Sequence, residues 1–409
     1  MMSEVGRSRT IVFLHDKFTN RRRDKYVLCM VQAFGKMGYQ IYIYTSHFDL
    51  SDFHFDDHIH IKWTGTYMPN SLFGYFRWFF SFIKATYTVF KVFMCPPTAT
   101  PDVVIVDVWL WTVYILKLFN KYVVCLEHLP NTGILDDRLE YSKNVSNTKL
   151  QMMNLADQII VESDGIAALV KYHYPHLKKN IIILYRPIDV GLWNKPTINI
   201  HRIVPDLPSN MIIFLTIGKF APASNLTLTC EAFGLLIDLI NDKDLTDRFH
   251  LVIASNCKTS TENIYCAELI ADTVWRSWFR QVTFLRQMPT IHEKTLICNA
   301  LVAIHPAQND LLSDFVLKAM CLGKPIVATD KGMASKIITH KFSGVCLKPD
   351  AMEFAKALKE LVLNHELRDF YRKNARDRFH CCYSFSMMCR KLNSIATKLR
   401  DQIHENTRN

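Results

Sequence analysis

A chain of 409 residues with 49% hydrophobic and 21% charged residues is long enough to bury two cores and too apolar to be disordered. Its net charge of +11 and pI near 9.0 favour phosphate-bearing partners, but the cations are dispersed except at Arg21, Arg22 and Arg23, and no nucleic-acid-binding module is present, which argues against nucleic acid. Twelve cysteines lack any CxxC or zinc spacing, and Cys29, Cys125, Cys230 and Cys298 lie in apolar strings, so neither a disulfide scaffold nor a zinc site is expected.

The opening MMSEVGRSRTIVFLHDKF has too short an apolar run for a secretory signal, and the soluble parts are expected in the cytosol. RTIVFLHD, continuous in β-branched and aromatic residues, predicts a buried parallel strand. RDKYVLCMVQAFGKMGY has helical spacing with a stop at Gly38, and QIYIYTSH is the next strand. Strand, helix and strand make a βαβ unit, the start of a doubly wound sheet. Further strands are predicted at PDVVIVD, KYVVCLEH, ADQIIVES and NIIILYRPID. After the proline-dotted linker RPIDVGLWNKPTINIHRIVPDLPSN, a second series follows: MIIFLTIGKF, FHLVIAS, QVTFLRQ, ALVAIHPA and KPIVATD. The fold class is therefore α/β, with two doubly wound, Rossmann-like domains whose strand ends face each other across a cleft. Domain boundaries are placed at residues 1–200, 201–382 and a helical, polar tail at 383–409, whose return across the first domain is open to it but not decided by periodicity.

The segment at 71–94, SLFGYFRWFFSFIKATYTVFKVFM, interrupts the pattern. Arg77, Lys84 and Lys91 recur every seven residues, which places three cations on one helical stripe among aromatics. Two readings stand: a helix lying in a membrane interface, with cations toward headgroups, or a core helix with one solvated edge. A membrane span is disfavoured by the regular charges.

Four stretches carry chemistry. HDKFTNRRRDKY follows the first strand, where glycine usually lets a phosphate approach; it is read either as an acceptor-phosphate site or as a solvated basic turn. CLEHLPNT puts Glu127 and His128 at a strand's carboxyl end, where His128 binds a hydroxyl, shuttles a proton or is satisfied within its loop. LTIGKFAPASNLTL offers Lys219 to a diphosphate, with Ser224 near the following helix. HPAQNDLLSDFVLKAM sets Asp310 and Lys318 eight positions apart, a carboxylate for sugar hydroxyls and an ammonium for phosphate.

Taken together, IVFLHDKF…YVLCMVQAFGKMGYQIYIYTSHFD, PDVVIVD…KYVVCLEHLPNT, ADQIIVESDGIAALVK, LYRPIDVGLWN, NLTLTCEAF and QVTFLRQMPTIHEKTLICNALVAIHPAQND resemble, in order, the GT-B retaining glycosyltransferases of family four. Within them the likeness is to the branch that adds mannose to dolichol-linked oligosaccharide. The resemblance implies transfer of mannose from GDP-mannose to a lipid-linked oligosaccharide acceptor at the cytosolic face of the endoplasmic reticulum membrane, with no metal and no separate cofactor. It assigns catalytic roles to His128 and Asp310 and donor binding to Lys219, Lys318 and Gly332. It also exposes departures. The family's glutamate pair falls on Asp310 and Lys318, its two clamp cations on Lys219 and Ser224, and its Gly-Gly-Pro turn on Lys331, Gly332 and Met333. Those substitutions support an alternative, a catalytically silent paralogue whose partners are other, active glycosyltransferases.

Overall fold

The structure is a computed structural model that describes residues 9–19, 21–49, 56–69, 77–94, 101, 103–107, 111–127, 147–193, 197–205, 207–208 and 210–408. Two compact units are present, the second formed mainly by Ile188–Ser384. In the first unit seven parallel strands form one sheet: β1 (Thr10–Leu14), β2 (Gln40–Thr45), β3 (Ile59–Trp63), β4 (Val103–Val106), β5 (Val123–Glu127), β6 (Gln158–Val161) and β7 (Ile181–Ile183). Their order is β3-β2-β1-β4-β5-β6-β7, and β1 pairs with both β2 and β4 in parallel register, Phe13 lying opposite Ile43 and Ile105. The order turns from descending to ascending at β1, the point at which such sheets place ligands. Every residue of β1 and β4 is buried, as expected for strands covered on both faces.

Helix α1 (Arg22–Lys36) follows β1 and buries Tyr26, Val27, Met30, Val31 and Phe34. Its other side receives the chain's last helix. The polar tail read as a helix from residue 383 is helical over Phe385–Arg408, and Met388, Leu392, Ile395 and Ala396 enter the same apolar cluster as Val27 and Phe34. Four buried side chains at i, i+4, i+7 and i+8 are the narrow stripe of an amphipathic surface helix.

Helices α2 (Arg77–Met94) and α3 (Trp111–Leu118) cover the other face. The expected stripe of outward cations on α2 is corrected here. Lys84 is buried, its stem against Gly65, and Lys91 donates to the carbonyl of Trp63. Burial lowers the pKa of Lys84. These two lysines turn toward the protein, and the large apolar side chains turn outward: Phe79, Phe82, Phe90 and Met94 of α2 are exposed beside Trp111, Tyr114 and Leu118 of α3. Phe82 meets Trp111 with ring centroids 5.8 Å apart, so the two helices share one face. Val89 and Val92, not the heptad cations, choose the orientation, because they bury apolar area against the sheet. Residues 71–76 lie outside the described residues. No described helix is long and apolar enough to cross a membrane.

The second unit has six parallel strands: β8 (Ile212–Ile217), β9 (Phe249–Ala254), β10 (Val282–Leu285), β11 (Ala300–His305), β12 (Ile326–Thr329) and β13 (Val345–Leu347), ordered β10-β9-β8-β11-β12-β13. Its site-bearing helices are α4 (Leu226–Leu239), α5 (Thr290–Asn299) and α6 (Asp314–Cys321). The strand runs read from the sequence all appear; within these two sheets β3 and β13 are added by the structure. Both are edge strands. The first, IHIKW, alternates with His and Lys, and the second has only three residues, so neither carries the continuous apolar run of an inner strand.

Candidate active site

At the carboxyl end of β1 the glycine-free loop is organised by a buried histidine. His15 Nδ1 pairs with Asp107, past the end of β4, and Nε2 lies 3.2 Å from Asp24 Oδ1 and 2.9 Å from the Lys17 carbonyl. Asp24, in the first turn of α1, also accepts the Thr19 N–H and hydroxyl at 2.8 Å each. Burial alone would push the imidazole pKa down, but bonds to Asp107 and Asp24 outweigh it and raise the pKa to about 9. The loop is thus held by a buried imidazolium between two carboxylates. Arg23 Nε stands 3.5 Å from Asp107 Oδ2, and Arg22 gives Nε and Nη2 to Glu162 Oε1 at 3.3 Å each. Glu127 pairs with Lys149. His128 lies outside the described residues.

In the second unit Lys219 follows β8 and is half-buried, with burial lowering its pKa. Ser224 is buried, and its Oγ has no hydrogen-bond partner. The next residue, Asn225, takes φ 51° and enters α4 without a side-chain cap. Lys219 therefore brings a cation to the same turn as an uncapped helix N-terminus, a combination that suits an anion.

Asp310 and Gly332 are brought together, and their joint role is specific. Asp310 Oδ2 accepts from His305 Nε2 at 3.0 Å and from the Ser313 hydroxyl, and Oδ1 accepts the Met333 N–H at 2.8 Å. Burial opposes the charge of Asp310, yet His305 and these hydrogen bonds prevail and hold the carboxyl below its usual range. Gly332 has φ +70°; a side chain there would come 2.9 Å from the Gln308 carbonyl and closer still to Asp310 Oδ1. The carboxylate thus ties the loop after β11 to the turn after β12, and glycine makes room for it.

Lys318 does not present an open ammonium. Glu293 of α5 grips Nζ at 2.6 and 2.8 Å, and the Trp193 ring centroid lies 5.2 Å away. Its charge is met inside the unit by Glu293. The sequence reading missed His15, Asp107, His305, Ser313 and Glu293. A signal existed for His305, which is five residues before Asp310 at a strand end; none existed for Asp107 or Glu293, which reach their partners through tertiary folding. Among the described residues, no group of three or more His, Cys, Asp or Glu side chains is placed to hold a metal ion.

Comparison with known proteins fits this geometry. Residues 198–378 match the family model for group 1 glycosyl transferases. The chain is 23% identical over 376 residues to the mouse (Mus musculus) alpha-1,3/1,6-mannosyltransferase ALG2, covering 88% of this chain and 89% of that protein. It is 22% identical over 400 residues to the Homo sapiens protein of that name, covering 90% and 92%. A glycosyltransferase from Rickettsia africae superposes with a TM-score of 0.69 at 14% identity, covering 96% of this chain and 99% of that one. HepE of Anabaena in complex with UDP gives 0.66 at 14% identity, covering 95% and 100%. The fold is that of the GT-B glycosyltransferases, two Rossmann-like domains in one chain.

Proposed function

We propose, from the match of residues 198–378 to the group 1 glycosyl transferase model and a fold shared with glycosyltransferases, that this chain transfers mannose from GDP-mannose to a lipid-linked oligosaccharide acceptor at the cytosolic face of the endoplasmic reticulum. The observation that carries the proposal is the similarity to alpha-1,3/1,6-mannosyltransferases over nearly the whole chain, both units included.

The chemistry of the second unit supports it. Departure of GDP from a donor sugar develops negative charge on the diphosphate, and preorganised donors lower that barrier most when they are fixed beforehand. Lys219 and the uncapped start of α4 supply such donors. Asp310 acts as a positioning residue, since its oxygens are engaged in fixing the backbone at Gly332 and Met333. The family resemblance pairs His128 with Asp310; in this proposal the proton or hydroxyl role rests with His128. The exposed aromatic face of α2 and α3 supports an acceptor met at a membrane surface, because aromatic side chains favour the interfacial layer.

The test is calorimetry and mannose transfer with purified protein. GDP is expected to bind, and Lys219→Ala to weaken it about tenfold, the loss of one charge-assisted hydrogen bond. Transfer from GDP-mannose to a lipid-linked acceptor is expected to fall in parallel. Absence of GDP binding at millimolar nucleotide would overturn the transferase and leave a silent paralogue that acts through active glycosyltransferases. That second reading has its own support in Lys318, whose ammonium is committed to Glu293.

A further inference from the structure

Charge is layered along the carboxyl edge of the first sheet. Four carboxylates there, Asp24, Asp107, Glu127 and Glu162, have side chains between 0% and 13% exposed. The cations that meet them, Arg23, Lys149, Arg22 and Arg186, are between 15% and 34% exposed. Anions form the lower layer and cations the upper one. Two other acids at this edge, Asp16 and Asp164, accept bonds from the hydroxyls of Ser46 and Tyr185.

This arrangement is expensive if its only role is structural. An exposed ion pair contributes little to stability, and burying a carboxylate carries a desolvation cost that a nearby cation offsets only in part. What the layering does supply is orientation. Glu162 Oε1 takes both Nε and Nη2 of Arg22 and lies 3.9 Å from Arg186 Nε, so one buried oxygen sets the plane of the Arg22 guanidinium and draws that of Arg186 beside it. The residues come from the end of β5, the positions just after β4 and β6, the first turn of α1, the helix Asn147–Leu155 and the stretch after β7, elements that the fold gathers at one edge. Planar guanidiniums fixed in advance suit a group with several anionic oxygens close together.

We propose that Arg22, Arg23 and Arg186, set above the carboxylates beneath them, bind the diphosphate of a lipid-linked acceptor. The proposal rests on the acceptor chemistry argued above and adds the group on the acceptor that is recognised and the residues that recognise it. The arginines take the place that glycine and bare backbone N–H groups have in phosphate-binding loops.

Flotation with phosphatidylcholine vesicles, plain or doped with a polyprenyl diphosphate, tests it on the full chain. The wild-type protein is expected to prefer doped vesicles and to lose that preference when inorganic pyrophosphate competes. Arg22→Gln and Arg186→Gln should each reduce affinity for doped vesicles about tenfold, with plain-vesicle binding and GDP binding unchanged. Glu162→Gln separates oriented recognition from bulk attraction. It removes a negative charge, so simple electrostatics predicts tighter binding, whereas loss of guanidinium orientation predicts weaker binding. Arg186→Lys, which keeps the charge and loses the planar fork, is the second variant should Glu162→Gln not fold, and it should also bind more weakly. Equal binding of plain and doped vesicles by the wild type, or doped binding unaltered in the arginine variants, would overturn the proposal. If mannose transfer from GDP-mannose fails while the preference for doped vesicles holds, the donor assignment falls and this site stands.

Discussion

Gly332 shows how one residue type is fixed by its surroundings. Its positive φ and the closeness of Asp310 and Gln308 exclude a side chain, and Gly332→Ala is expected to destabilise the second unit by about 2 kcal/mol or more, measured by urea denaturation. His15 gives a pH-dependent counterpart in the first unit. Its folded pKa of about 9 lies above the ordinary value of 6.5, so its contribution to stability is complete below pH 6.5 and is lost as pH rises through about 9. The urea midpoint of the wild type should therefore fall across that window, while His15→Gln, already weaker, should show a flatter profile. Equal slopes in the two proteins would show that the Asp24–His15–Asp107 bridge does not carry the charge assigned to it. Gly332, Asp310 and Lys219 could be picked from sequence because each lies at a strand end in a recognisable frame. His305 and Ser313 could not be assigned as the bonding partners of Asp310, since the loop path between them decides which oxygen each reaches.

Helix α2 is where periodicity and packing gave different answers. A cation every seventh residue predicts a charged stripe, but its two described lysines turn inward, Lys84 buried and Lys91 bonded to the Trp63 carbonyl. Lysine tolerates this because its long apolar stem packs while its ammonium finds a polar partner. The consequence is an outward face of aromatic rings continued by α3. Replacing Phe82, Phe90 and Trp111 with serine is expected to reduce sedimentation with phosphatidylcholine vesicles strongly while leaving the unfolding midpoint nearly unchanged, since these side chains are already exposed. Undiminished sedimentation would assign vesicle binding to another surface. The last helix teaches a related lesson: its polar composition foretold a helix, but which elements it covers depends on Met388, Leu392 and Ile395 meeting α1.

For the whole chain, two parallel sheets repeat one plan with different endings. The first sheet ends in arginines above buried carboxylates, and the second in a lysine beside a helix N-terminus and a glycine turn pinned by Asp310. The net charge of +11 is therefore not spent uniformly. Lys318 contributes to it and is committed to Glu293, so Lys318→Ala is expected to change GDP affinity by less than about twofold, in contrast to Lys219→Ala. Calorimetry on the two variants side by side makes the comparison, and a large loss at Lys318 would mean that Glu293 releases it to the nucleotide.

The sequence by itself determined the α/β class, the two strand series and the residues at their carboxyl ends, because buried parallel strands need continuous apolar runs and strand ends are local features. Tertiary structure alone decided which charges are paired. Lys318 with Glu293, Arg22 with Glu162 and His15 with Asp107 join residues brought together by separate strands and helices, and the strength of each pair depends on distance and burial, neither of which a linear order of residues contains.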